Sequence, residues 1–542
     1  MNYIMDFPNI SGDGIHDDTA GIQAALNIVK DIYFGSNDKT FLISDSLKLQ
    51  DNHKLFSSGA TIIQGELQKS IFDFSASASN LAKKNISIVG FNLIGCQNEK
   101  YDKNLKSNSE AKAIKCDYAK NITIKDNNFK NFMYSPLMGN YVDNFLFVHN
   151  TCFGFDSWNN WLPPNTTINS EEPRDNTGIT IGGNNVKIIE NTISNTSQGI
   201  FIILGSKNVL IKSNYIFNTI YEHGIYVDSG VSNLTISDNI INTIIQTGLK
   251  IQNYDSSSSG INYEYADSKN IVVSNNTVSN TGADGILVLN AVPENPPRIF
   301  AINVLINGNI LSNIFSSAIN IRCAKYCTIA NNVMNGNGIG LYIDNAHSST
   351  INNNIVNNSN ENGIYDQGTG QEIVYINNYI NDSGKISSIT DDRRSNIFLV
   401  NGSNRYLINN VIKESPTHNL AIEDGNLTSW EIKNNSFLDS EYTSIRIITK
   451  TNSENFRYFG ENVLKSKSGT SEITLTNDSQ IFQTAQLGNQ DIYFTRNQSI
   501  NSINVNNYKR GSIIINSSPS NGGFVGWVNT GSAWKLFGEI EN

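Results

Sequence analysis

Over most of the chain, β-branched and aliphatic positions alternate with polar ones in short runs, and Asn, Gly, Ser or Asp closes each run. Alternation with a period of two buries one side of a strand, and the closing residues are those that turn a chain. The pattern therefore predicts short strands and turns, with no helices between them. It also repeats. The stretches "NVKIIENTISNTSQGIFII" from Asn185, "NVLIKSNYIFNTIYEHGIYVD" from Asn208 and "NLTISDNIINTIIQTGLKI" from Asn233 are copies of one unit. Aligned on their internal Asn, the copies fall at Asn191, Asn214, Asn239, Asn276, Asn309, Asn332, Asn354 and Asn378, and two long steps carry insertions. Fainter copies occur at Asn121, Asn144 and Glu431. Such a period fits one coil of a parallel β-helix, each coil adding about 4.8 Å to a stack with a continuous apolar core. The recurring Asn is expected to supply a left-handed turn and to stack its amide on the Asn of the next coil.

One stretch breaks the rule. In "GDGIHDDTAGIQAALN", residues 12 to 27, Asp17, Asp18 and Thr19 can cap a helix whose apolar stripe is Ile22, Ala25, Leu26 and Val29. The glycines ahead of it tolerate left-handed backbone. A solenoid exposes core and strand edge at each end, so this helix is expected to be an end cap.

Composition narrows the function. Only 16% of the 542 residues are charged and the formal net charge is −10, which argues against the basic face a nucleic acid would need. Neither a charged-then-apolar leader nor an uninterrupted apolar run of membrane-spanning length is visible, so folding in a cytoplasm and no membrane insertion are expected. The many N-x-S/T matches then follow from the Asn repeat rather than from glycosylation. Five scattered cysteines, Cys96, Cys116, Cys152, Cys323 and Cys327, read as buried thiols, and no metal site is expected at "CAKYC". No P-loop, dinucleotide fingerprint or nucleophile elbow stands in a credible context, so no cofactor is expected.

Two motifs carry a resemblance. "GDGIHDDTAGIQAAL" resembles the N-terminal signature of the pectate-lyase-like superfamily of right-handed β-helices, widespread in phage tailspikes. "GSIIINSSPSNGGFVGWVNTGSAWKLFGEI", with Trp527, Trp534 and Phe537, resembles the small C-terminal β module of capsule-degrading tailspikes from Acinetobacter-type phages. The resemblance implies an all-β chain: a cap over 1–35, a right-handed parallel β-helix over 36–490, and a C-terminal β module for trimerisation or carbohydrate binding over 491–542. It further implies a homotrimeric depolymerase in the virion tail, made in the host cytoplasm and acting on capsular polysaccharide at the cell surface. No separate virion-anchoring segment precedes the cap, which implies a trimmed chain or attachment through a tail or adaptor protein.

Candidate chemistry sits on the outward positions of the recurring "G-I-x-I" strand. Two places after the small residue lie Thr180, Phe201, Tyr226, Lys250, Leu287, Asn320, Gly340 and Tyr365. Four places after lie Gly182, Ile203, Asp228, Gln252, Leu289, Arg322, Tyr342 and Gln367, with Asp344 extending the strand of Tyr342. Aromatics, amides and charges together are what a sugar site uses. Asp228, Asp284, Asp344 and Glu222 are the carboxylate candidates, and Glu361 lies beyond them. Tyr226, Lys250, Arg322, Tyr342 and His223 are the candidates for substrate binding. Insertions add Trp158, Trp161, Glu171, Glu172, Arg174 and Asp175, then Tyr263, Glu264 and Tyr265, then Glu294 and Arg298. The run "TDDRR" at Thr390 reads as a solvated ion-pair turn or subunit contact. Glu222 and Asp228 are separated by roughly 20 Å of extended chain, too far for a hydrolytic pair unless the lip folds back. Asp284, Asp344 or a carboxylate of "SEEPRD" is therefore the preferred partner of Asp228.

Three readings stay open. The first is an endo-glycosidase with a carboxylate pair on a bacterial surface polysaccharide. The second is a lyase in which Tyr226, His223 or Lys250 removes the proton beside a uronate carboxylate and Arg322 neutralises the enolate. The third is a spike that binds capsule without cutting it.

Overall fold

The computed structural model describes residues 1–66, 68–95, 112–132, 134–154, 176–228, 230–253, 267–290, 300–368, 370–385, 394–424, 430–449, 456–467, 473–475, 482–487, 490–495, 510, 513–516 and 524–539. The chain divides into two compact units, Met1–Phe315 and Ser316–Asn542. Both are parallel β-helices, as the alternation predicts.

In the first unit each coil from Gln198 to Ile314 contributes three strands, one to each of three faces. The first face holds Gln198–Ile202, Ile225–Asp228, Leu249–Asn253 and Ile286–Asn290, in parallel register. The second holds Lys207–Lys212, Ser232–Ser237, Ser268–Ser274 and Ala301–Asn307. The third runs from Thr151–Phe153 and Thr192–Ser194 through Tyr215–Thr219, Ile240–Ile244 and Thr277–Thr281 to Ile310–Ile314. Because the register is kept, each inward residue lies on its counterpart one coil away. Ile211, Ile236, Val273 and Ile306 form one such buried column, and Ile216, Ile241, Val278 and Leu311 another.

The Asn repeat is a ladder, but its geometry differs from the expectation. Asn191, Asn214, Asn239, Asn276 and Asn309 are all buried. The left-handed residue is the one just before each: Glu190, Ser213, Asp238, Asn275 and Gly308. The turn thus tolerates several side chains at its strained position and demands Asn at the next. That Asn points inward, where its amide replaces the hydrogen bonds that the turn breaks. Asn239 Oδ1 accepts from both the backbone N–H and the Nδ2 of Asn214, at 2.9 and 3.0 Å. Asn239 donates in turn to Ile211 O and to Asn276 Oδ1. A second, solvent-side ladder joins Asn208, Asn233, Asn270 and Asn303, and these do adopt the left-handed backbone.

The helix Thr19–Ile28 buries Ile22, Ala25 and Leu26, while Val29 ends it. Asp17 Oδ1 accepts the Thr19 N–H, whereas Asp18 turns away to accept from the Ser11 and Gly12 N–H groups and so clamps the preceding loop. His53 closes the other end: its Nε2 lies 2.9 Å from Leu26 O and its Nδ1 accepts the Gln50 N–H. Gly12 and Gly14 hold the left-handed backbone expected of them.

The second unit repeats the three faces. Its first is Ser317–Arg322, Ile339–Asp344, Ile364–Gln367, Ser395–Val400, His418–Asp424 and Ile445–Thr449. An Asn ladder runs from Asn332 through Asn354, Asn378, Asn410 and Asn435 to Asn462. The C-terminal strands Phe482–Leu487, Gln490–Thr495, Ile513–Asn516, Phe524–Asn529 and Trp534–Glu539 make a separate, mostly antiparallel sheet in which Trp527 is buried.

Asn239→Ala strands the Asn214 N–H and amide and the Ile211 carbonyl, and should cost about 3 kcal/mol in urea denaturation. Asn233→Ala on the solvent ladder should cost about 1 kcal/mol, chiefly its left-handed backbone.

Candidate functional site

On the first unit's first face the register reproduces the columns read from the sequence. Phe201, Tyr226, Lys250 and Leu287 lie side by side, and Asp228 neighbours Gln252 and then Leu289. Outward side chains 4.8 Å apart touch one another, and this changes what they offer. The Tyr226 ring stacks on Phe201 with centroids 4.9 Å apart and 8° between planes. Lys250 Nζ sits over the ring at 4.7 Å. Phe201 and Lys250 thus already engage the ring of Tyr226. What the residue turns outward is its edge and hydroxyl, which reaches Gln252 Oε1 at 3.4 Å.

His223 is not an exposed lip residue but is buried at the start of its strand. Burial and the Lys250 charge push its pKa down to about 3, so the ring is neutral at ordinary pH. Its Nδ1 accepts the Thr247 N–H at 3.3 Å, which leaves the ring proton on Nε2, 3.3 Å from Lys250 Nζ. An ammonium and an N–H facing each other at that distance are both donors. The contact becomes a hydrogen bond when Lys250 gives up a proton. Burial lowers the Lys250 pKa in that direction, while Glu222 and Asp228 both hold it up. Lys250 therefore lies within the field of both carboxylates.

Asp284 falls elsewhere. Its carbonyl accepts the Gly248 N–H as Thr247 O accepts that of Gly224, so it continues the buried strand-start column of His223 and Thr247. Five residues of strand and two coils then separate it from Asp228, about 19 Å between Cα atoms, beyond the range of a hydrolytic pair.

In the second unit the columns that set Gly340 with Asn320 and Tyr342 with Arg322, counted from Gly338 as the small residue, need correction. Asn320 pairs with Tyr342, and Arg322 with Asp344. The small residue of that coil is Gly340, whose added Cβ would lie 2.4 Å from Gly363 O. Tyr342 thus belongs with Asn320 and Tyr365, and Asp344 with Arg322 and Gln367. Two glycines two residues apart, Gly338 and Gly340, hid the shift from the sequence. The result is a connected outward patch. The Arg322 guanidinium lies 5.1 Å from the Tyr342 ring centre and bonds Asn320 Oδ1. Gln367 donates to the Tyr342 hydroxyl and accepts from that of Tyr365 at 2.7 Å. Tyr365 meets Tyr342 edge-on and stacks on Phe398. Partial burial raises the Asp344 pKa above the usual carboxylate range; Arg322 pulls it down and Asp366 pushes it up. Tyr342 is pushed up to about 12 by burial, so it remains a phenol that donates or accepts hydrogen bonds.

Sequence reasoning passed over a buried cluster behind this patch. Asp366 stands at an inward position, where Arg405 Nε bonds its Oδ2 at 2.6 Å and Tyr375 donates to the same oxygen. A carboxylate at an inward position of "GIYDQG" was the available signal. Trp158 and Trp161, the carboxylates and Arg174 of that insertion, Tyr263, Glu264, Tyr265, Glu294, Arg298 and residues 390–393 of the "TDDRR" run lie outside the described residues.

Residues 157–298 match the family described as the right handed beta helix region, and residues 241–389 match that of the periplasmic copper-binding protein NosD. No curated protein matches the chain. Among solved structures, a tailspike protein mutant of E. coli bacteriophage HK620, in complex with a pentasaccharide, is 12% identical with a TM-score of 0.50, covering 88% of this chain and 80% of that one. The pre-mature bacteriophage phi29 gene product 12 is 13% identical with a TM-score of 0.47, covering 85% and 68%. The Streptococcus pneumoniae surface adhesin PfbA is 15% identical with a TM-score of 0.34, covering 84% and 93%. At such identities the likeness is one of fold: this is a right-handed parallel β-helix.

His223 predicts an acid limb of stability. Its folded pKa is about 3 against an ordinary 6.5. The unfolded chain therefore binds one more proton between those values, and stability falls by up to about 1.4 kcal/mol per pH unit as pH drops below 6.5. His223→Gln should remove that slope in denaturant midpoints measured across the interval.

Proposed function

We propose that this protein is a phage tailspike depolymerase that cuts a bacterial capsular or surface polysaccharide by hydrolysis. On this reading it acts as a homotrimer held on the tail directly or through an adaptor. The observation that carries the hydrolytic reading is the patch of Arg322, Tyr342, Asp344, Tyr365 and Gln367. It places a carboxyl group that retains its proton above the usual range among side chains suited to sugar hydroxyls. Asp344 serves as the general acid to the leaving glycosidic oxygen, Arg322 and Gln367 orient the sugar, and a second carboxylate supplies the base or nucleophile. The fold shared with a tailspike bound to a pentasaccharide, and the motifs at both ends of the chain, support the substrate class.

One observation favours elimination instead. The contact of Lys250 with neutral His223 favours an amine free of its third proton, which is the form that abstracts a proton from a sugar carbon. Tyr226 would then hold the neighbouring hydroxyl. The copper in the name of one matching family finds no group of three His, Cys, Asp or Glu placed to hold a metal among the described residues, and no step is routed through one.

Asp344→Asn should lower capsule depolymerisation at least about a hundredfold while leaving the melting temperature nearly unchanged. The unmodified enzyme should slow as pH rises through the raised pKa of Asp344, because the acid loses its proton. If instead products carry a new double bond, seen by ultraviolet absorbance, and Lys250→Met abolishes activity while Asp344→Asn retains it, the lyase reading replaces the hydrolase.

A further inference from the structure

We infer that a notch at the corner between the first and second faces of the first unit is a binding site for a single pyranose ring, separate from both the Lys250 cluster and the Asp344 patch. Three successive coils differ there in length. Between Gly139 and Asp143 the chain has Asn140, Tyr141 and Val142; the stretch paired with it, from Ile181 to Asn184, has only Gly182 and Gly183. The next, from Ile202 to Lys207, has Ile203, Leu204, Gly205 and Ser206. Since the ends stay in register, the glycine coil takes the shortest path and lies recessed between two coils that stand out. A Cβ on Gly182 would press into Ile203 O and one on Gly183 into Val142 O, so the floor of the notch stays bare. One wall is aromatic. Tyr141 sits in the bulge between Gly139 and Val142, a distortion that re-aims a side chain. Its ring is half-exposed and stacks on that of Tyr118 one coil back, with centroids 4.9 Å apart and 16° between planes. That separation is one coil spacing, so the stack runs along the solenoid, and its next place falls over Gly182, where no side chain stands. Both tyrosines take left-handed backbone, which is costly for a bulky residue. The same corner uses the left-handed glycines Gly205 and Gly230 in later coils, so the turn itself does not call for the rings.

The chemistry selects the occupant. Two coil spacings, about 9.6 Å, separate the coil of Tyr141 from that of Leu204, which admits one ring between the walls at an ordinary stacking distance from Tyr141. The rim is polar and offers acceptors. Asn140 and Asp143 flank Tyr141, and Asn184 follows the glycines. Asp117 Oδ1 accepts from the Asn140 N–H and Nδ2 at 2.9 and 2.7 Å, and Asp143 Oδ1 accepts from the amides of Asn184 and Asn185. Asn140 Oδ1 and Asp143 Oδ2 take no donor from the described residues. A pyranose lays its C–H face on an aromatic ring and carries hydroxyl donors around its edge, so it matches wall and rim together. A nucleotide would bring its phosphate towards Asp117 and Asp143, and a purely apolar group would leave the rim acceptors unpaired.

The test is nitration of the full chain by tetranitromethane, mapped by peptide, with methyl galactoside, N-acetylglucosamine, rhamnose or adenosine present at millimolar concentration. Tyr141 and the comparably exposed Tyr326 should both be nitrated in the free protein. At least one pyranose should suppress nitration of Tyr141 and leave Tyr326 unchanged, and adenosine should protect neither. Protection should persist in Asp344→Asn and in Lys250→Met, because neither residue belongs to the notch. By saturation-transfer NMR, Tyr141→Asn, which puts at this corner the residue that the solenoid already uses in left-handed backbone, should weaken binding of the protecting sugar about tenfold, while Tyr141→Phe keeps it. Should the Asn variant misfold, the nitration map of the wild type answers by itself. Tyr141 nitrated at an unchanged rate with every pyranose, or protected equally by adenosine, overturns the assignment. So does protection that disappears in Asp344→Asn or Lys250→Met, which would return the sugar to the sites above. None of these readouts uses cutting: a protein that cuts no capsule and still shields Tyr141 with a pyranose loses the depolymerase reading and keeps the notch.

Discussion

The fold depends on how each coil ends. A parallel β-helix gains its backbone hydrogen bonds between coils, so every strand edge is satisfied by the next turn of the same path. The cost falls at the corners, where the chain bends and the ladder is interrupted inside the core. A buried N–H or carbonyl left without a partner costs about as much as several methylene groups gain. The Asn column removes that cost with one side chain per coil: the amide nitrogen of Asn214 serves Ile188 O, Lys212 O and Asn239, while its oxygen takes two donors from Asn191. Serine or aspartate could not do both jobs, since one lacks the second donor and the other lacks donors altogether.

This constraint explains why the solenoid was legible in the sequence. The Asn spacing counts coils, the alternation between Asn residues assigns inside and outside, and the amphipathic stretch at 19–28 has no place except at an end. The backbone detail was less legible. A left-handed turn and a buried amide are adjacent needs, and Asn satisfies either, so composition alone does not say which position carries which. The sequence Asn275-Asn276 holds both at once. The Gly338–Gly340 shift was hidden for a similar reason: both glycines satisfy the local motif, and only pairing with Gly363 selects one.

The candidate site was legible as a set of columns and illegible as a set of exposed groups. One-dimensional alternation says that Tyr226 points outward, but not that Phe201 and Lys250 lie against its ring. Stacking between coils converts a row of aromatics into a ribbed wall that turns its polar tips, rather than its ring faces, outward. The same closeness explains the altered proton affinities. Neighbours 4.8 Å away exclude water from one another, so His223 and Lys250 in the first unit, and Asp344 in the second, each shift toward the neutral form.

Asp366 and Arg405 show what the alternation permits when it is broken. Two charges inside a stack of isoleucines gain little net stability, because desolvation offsets much of their attraction. Their value lies in register. The Arg405 guanidinium spans Asp366 Oδ1 and Oδ2, Gly370 O and Ser403 O, and Gly402 leaves it room, since a Cβ there would lie 2.5 Å from Nη2. Tyr375, on the strand that follows Asp366 in the same coil, completes the carboxylate. Sliding any of these strands by one residue would turn a charge outward and leave its partner buried alone, a far larger penalty than misplacing one isoleucine among others. A repeat built from near-identical apolar coils has many almost equivalent pairings, and this ion pair distinguishes one of them. Its position behind Tyr342, Asp344 and Tyr365 fixes the register of the outward columns that carry them.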